Sequence, residues 1–206
     1  MSSTIRPVPR IGVDMLYVAK ILTDDAEGTT YDTPRRLMGL NNIGYDPATQ
    51  SASYDADDGT YESYSADGDT TVTIRQADLT PEDYAYLFGV TRGTTGVITE
   101  GAGDSAPYIA VGFRSQKSDG TYRYIWVLKG RASKGSETYQ TKSGSGVTYN
   151  DQEIVIHALN RTSDGAKRRR LDSNDESLPP EVTNATLADP EEGWFSSPDY
   201  TPAAGA

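Results

Sequence analysis

Two stretches around an Asp-Gly turn constrain this chain more than any other feature. Tyr108 to Gln116 and Thr121 to Lys129 both alternate, and Ser118-Asp119-Gly120 lies between them. Asp-Gly is a strong hairpin signal because both turn residues tolerate positive φ. In the first strand Ile109, Val111 and Phe113 share a face. In the second, Tyr122, Tyr124, Trp126 and Leu128 share one face, opposite Ile125 and Val127. Both faces of the second strand are partly apolar, so a central place in its sheet is expected.

Further strands follow from the same period. Gly12 to Leu22 is apolar and rich in β-branched and aromatic residues, and Arg35 to Ile43 forms a shorter apolar segment. From Asp69 to Ala77, Thr71, Thr73 and Arg75 face one way while Val72, Ile74 and Gln76 face the other. Gln152 to Asn160 repeats the pattern, with Ile154, Ile156 and Ala158 opposite Val155, His157 and Leu159. One helix is signalled. Thr80 caps it, Pro81 fits its first position, Glu82 and Asp83 complement its dipole, and Gly89 stops it. Tyr84, Leu87 and Phe88 then share a face. The expected fold is mainly β: a β-sandwich or barrel of antiparallel strands flanked by one short helix at about 80–88, with a long polar loop and extended terminal arms. Three regions result. Residues 1–10 form an arm, 11–165 the folded domain, and 166–206 a C-terminal arm or tail that is disordered in the free subunit.

Several kinds of chemistry are excluded. The chain has no Cys, so zinc-thiolate sites, disulfides and a cysteine nucleophile are absent, and its single His rules out a two-histidine metal site. No phosphate-binding loop and no Gly-x-Ser-x-Gly occurs. Asp55-Ala56-Asp57-Asp58-Gly59 resembles the start of a calcium loop, but the EF-hand spacing puts Thr60 and Ala66 where Gly and Glu are needed. His157 reads as a packed or half-exposed strand residue. No catalytic, cofactor or metal residues are expected. Nothing approaches an export signal or a membrane span, so a cytoplasmic site of synthesis is expected.

Charge is unevenly spread. The formal charge is −11, which argues against duplex binding. Residues 24–69 carry eleven acids and two bases, while residues 108–142 carry seven bases and two acids. Such opposed patches on identical subunits favour head-to-tail association. The segment from Gly44 to Asp69 reads as a solvated polar loop with hairpin turns or as a projecting loop or hairpin that contacts another subunit. Tyr45, Tyr54, Tyr61 and Tyr64 stand among its acids, more aromatic surface than a solvated loop needs. Lys167-Arg168-Arg169-Arg170 has three readings: an exposed linker, a contact with an acidic surface of another copy, or a nucleic-acid contact. Beyond it the chain has eight acids and no Lys or Arg from Leu171 on, with one aromatic anchor, Trp194-Phe195.

Several segments, in order, resemble the major tail proteins (tail tube proteins) of long-tailed phages of Gram-positive hosts. They are Gly12-Val13-Asp14-Met15-Leu16-Tyr17-Val18-Ala19, Thr30-Tyr31-Asp32-Thr33-Pro34 with Leu37, and Ala77-Asp78-Leu79-Thr80-Pro81-Glu82-Asp83 with Leu87-Phe88-Gly89. Pro107-Tyr108-Ile109-Ala110-Val111-Gly112-Phe113, Asp119-Gly120, Tyr124-Ile125-Trp126 and Thr141-Lys142 complete the set. The similarity covers about residues 11–165. It implies a virion structural protein, made in the host cytoplasm, with a β-sandwich flanked by a helix. Subunits would form hexameric rings that stack into a tube, through which genome DNA passes without specific binding. Other tail proteins (tape measure, tail terminator, distal tail) would be its partners. On this expectation the self-assembly residues are Val111, Phe113, Tyr124, Ile125 and Trp126 in an open-edged wall sheet, Tyr54, Tyr61 and Tyr64 in the acidic segment, and Trp194 and Phe195 docking only in the assembled particle. A monomeric β-sandwich that binds carbohydrate through Tyr and Trp is the alternative.

Overall fold

A computed structural model describes residues 7–66, 68–135, 137, 139, 141 and 150–202. Most of the expected N-terminal arm, residues 1–6, and residues 203–206 at the far end lie outside the described residues. So does Lys142. In chain order the elements are β1 (Arg10–Asp25), β2 (Gly28–Tyr31), β3 (Arg35–Leu37), β4 (Leu40–Asp46), β5 (Gln50–Ala56), β6 (Gly59–Ala66), β7 (Thr70–Gln76), α1 (Pro81–Phe88), β8 (Thr91–Arg92), β9 (Ile98–Thr99), β10 (Tyr108–Lys117), β11 (Tyr122–Lys134), β12 (Gln152–Ala158), β13 (Arg168–Asp172) and α2 (Asn184–Ala188). No helix among the described residues is long and apolar enough to cross a membrane.

The main sheet is antiparallel and runs β2-β1-β10-β11-β12-β7-β4. It curls back on itself. β3 pairs with β1, with Leu16 opposite Leu37, while β4 begins just beyond Met38-Gly39 and pairs with β7. The expected single strand from Arg35 to Ile43 is therefore two, broken where Gly39 takes φ +87°, a conformation that favours glycine. The inward-facing residues of this closed path form one core. Leu16, Val18, Leu37, Val72, Ile74, Ile109, Val111, Phe113, Ile125, Val127, Ile154 and Ile156 are all buried in it. The alternation that signalled each strand is thus the alternation between this core and the outer surface.

Helix α1 follows its signals. Asp83 N–H donates to Thr80 Oγ1 at 3.1 Å, and Gly89, at φ +65°, donates to Ala85 O at 3.0 Å. Leu87 and Phe88 enter the main core. The helix is tied to the sheet by Arg35, which reaches Glu82 at 2.9 Å and Asp83 at 3.2 Å, and by Lys20 N–H donating to Tyr86 Oη at 2.9 Å.

The C-terminal region differs from expectation. It is a second layer of the domain rather than a tail. β13 pairs with the first half of β11, Arg170 opposite Ile125 and Trp126 opposite Arg169. The chain then crosses the outer face of β1, β10 and β11 and buries Leu187, Trp194 and Phe195 against Tyr17, Ala110, Tyr124, Trp126 and Leu128. Phe195 stacks on Tyr17 at 4.6 Å, and Trp126 Nε1 donates to Trp194 O at 2.9 Å. Arg161 secures the far end through Asp199 and Asp164, and Arg169 Nη1 donates to Pro198 O at 3.0 Å. A few large aromatics on a ready apolar face offset the entropy of ordering an irregular chain. A second helix, α2, which no periodicity announced, sits in this layer with Thr183 as its cap and a capping box closed by Thr186.

Candidate interaction surface

The positions expected to mediate self-assembly divide into two groups. Val111, Phe113, Tyr124, Ile125, Trp126, Trp194 and Phe195 are all buried inside their own chain. They hold the two cores together and are not free to meet a partner. The wall hairpin has no open edge at its centre either, since β10 lies between β1 and β11, and β11 is covered on its far side by β13 and then β12.

Tyr54, Tyr61 and Tyr64 behave differently, at 66%, 74% and 71% exposure. Of the two readings, polar loop and projecting hairpin, the segment is a β-hairpin, β5–β6, that forms a two-stranded sheet separate from the main one. Asp57 and Asp58 make its two-residue turn with φ of 51° and 63°, the left-handed pair that matches strand twist. Every residue of the two strands is exposed except Ala56 and Ala66, which are half-buried. Ala52 lies opposite Tyr64 and Tyr54 opposite Glu62, while Ser51 faces Ser65 and Ser53 faces Ser63. One face is therefore tyrosine-bearing and the other is serine. A register shift after Tyr54 lets Tyr61 set its ring edge-on to Tyr54 at 6.4 Å.

Charge is distributed otherwise than the sequence suggests. The cations of β10 and β11 are largely consumed within the chain. Arg114 pairs with Asp14, Lys117 and Arg123 with Asp172, Lys129 with Asp24, and Lys134 with Glu100. Arg131 stacks on Tyr108 at 4.3 Å. The basic hairpin is thus mostly an internal counterion set. On the hairpin, Asp55, Asp57, Asp58 and Glu62 form no ion pair among the described residues. Arg168 and Arg170 form none either, although Arg168 lies 4.2 Å over the Tyr45 ring.

Among the described residues no three of His, Asp and Glu gather to hold a metal ion. His157 Nε2 lies 3.4 Å from Ser133 Oγ, which donates to Val155 O at 3.1 Å, and among the described residues no carboxylate orients the ring. A shallow cleft of about 400 Å³ lies between Thr29–Pro34 and Ser196–Asp199. Its main polar groups serve the fold: Tyr31 Oη donates to Leu128 O at 3.0 Å and accepts from Arg161 Nη1 at 3.2 Å. Burial pushes the Tyr31 phenol up to about 12, against the pull of Arg161. No family model matches the chain, and no curated protein matches it.

Proposed function

We propose that this chain is a self-associating structural subunit, a tail tube protein of a long-tailed phage, whose rings stack into the conduit for genome DNA. The observation that carries this is the β5–β6 hairpin. A lone two-stranded hairpin is marginally stable in water. This one holds three exposed tyrosines and two unpaired strand edges out from a domain that buries both tryptophans and all three phenylalanines. Such a hairpin gains most of its stability when a second surface covers it. The resemblance set out above supplies the architecture: hexameric rings, passage of DNA without specific binding, residence in the virion tail, and contact with other tail proteins. A carbohydrate-binding module is the competing assignment. Both tryptophans are buried, so a platform for a sugar ring would have to come from exposed tyrosines without either indole.

Size-exclusion chromatography with negative-stain microscopy of concentrated protein tests this. Rings or tubes from the native chain, and a folded monomer when 52–66 are deleted, are the expected results. A native chain that stays monomeric at every concentration and binds glycans overturns the proposal.

A further inference from the structure

We infer that the outer edge of β13 is the surface on which the β5–β6 hairpin of a second copy docks, an inference that rests on the self-association proposed above. Among the described residues β13 is hydrogen-bonded on one side only, to β11. Ser173 N–H donates to Tyr122 O and Leu128 N–H to Lys167 O, each at 2.9 Å. Bonding groups alternate sides along an antiparallel strand. The backbone groups of Arg169 and Leu171 therefore point at β11, and those of Arg168 and Arg170 point outward. The side chains of Arg168 and Arg170 are also exposed and without an ion partner among the described residues. A free backbone edge and two unspent cations coincide at one strand.

The hairpin is the matching piece. It is a β-ribbon with free edges of its own, and it carries four acids and no Lys or Arg between Gln50 and Ala66. Its tyrosine face offers rings to guanidinium groups, the contact Arg168 already makes with Tyr45 inside the chain. Among the described residues no hydrogen bond, ion pair or ring contact joins the hairpin to β13 of its own chain. The other exposed cations without an ion partner among the described residues, Arg10, Arg36, Arg92 and Arg131, are not set two apart along one free-edged strand. An arginine-bearing edge discourages pairing with neutral or basic strands and admits an acidic one, so the same residues give protection and selectivity.

The absence of cysteine makes a clean test possible. Two differently tagged single-cysteine variants, Asp58→Cys and Arg170→Cys, are mixed and oxidised. The expected product is a mixed covalent dimer, in clear excess over the dimer formed when Arg92→Cys replaces Arg170→Cys. Equal yields overturn the docking site. In parallel, Arg168→Glu with Arg170→Glu should weaken association about tenfold or more while circular dichroism stays native, and Asp57→Lys with Asp58→Lys on the partner should restore it. If the double glutamate variant assembles as the native chain does, the docking site is wrong and self-association stands. If the native chain itself never associates, self-association and the docking site fall together.

Discussion

Gly112 lies directly across from Trp126, and a Cβ built on it would come within 2.8 Å of the indole ring. The ring has nowhere to retreat, because it is fully buried and its Nε1 is committed to Trp194 O. Gly112→Ala should therefore cost about 1–3 kcal/mol, the usual penalty of overpacking, read as a lower urea midpoint with an unchanged slope. Asp24 is a second such position. Burial alone would raise its carboxyl, but Lys129, the Thr162 N–H and hydroxyls of Thr29 and Thr162 hold it well below its ordinary value of 3.8. A depressed carboxyl stabilises the fold fully above its unfolded value, and that contribution is lost as pH falls through the folded one. Thermal melts should thus show stability declining below about pH 4, and Asp24→Asn should flatten that decline while lowering the melting temperature at neutral pH.

At the scale of the element, legibility followed period. The strands around Val72, Ile109 to Val127 and Ile154 announced themselves because one face of each meets a continuous core. Helix α1 announced itself through Thr80, Pro81 and Gly89, whose roles are local. The hairpin β5–β6 has no buried face, so Tyr, Ser and Asp succeed one another with no apolar alternation and read as a loop. β13 was obscured because an edge strand of arginines looks like a basic linker. The C-terminal layer was obscured because an irregular cap has anchors but no period. Aromatic richness also misled: Tyr124, Trp126, Trp194 and Phe195 look the same in a sequence whether they meet a partner or their own chain. Two expectations follow. Phe195→Ala should cost about 3–5 kcal/mol, as for a buried aromatic, measured by denaturation of the isolated subunit. Deleting 52–66 should change stability by no more than about 0.5 kcal/mol, as for surface changes, while abolishing association.

Over the whole molecule, closure and the outer layer couple distant parts. β1 pairs with β2, β3 and β10, and its Tyr17 lies beneath Phe195. Few segments can open without disturbing both cores, so unfolding should be cooperative, with aromatic fluorescence and backbone dichroism giving coincident transitions. Trypsin supplies a sharper check. A free tail would be cut at once at Lys167 to Arg170, whereas a paired strand resists. The native chain should survive there until global unfolding, and rapid cleavage at these sites would contradict the layer.

Phe195 covering Tyr17 also sets a timetable. A ribosome delivers roughly 5–20 residues per second, so the first strand waits on the order of ten seconds or more before its lid is made. Throughout that interval the nascent chain shows an uncovered aromatic face to a crowded cell. Chaperone occupancy should peak on chains stalled before residue 184 and fall once Phe195 has emerged. The outer layer of this domain therefore closes only when Phe195 arrives, long after the hairpin has been made.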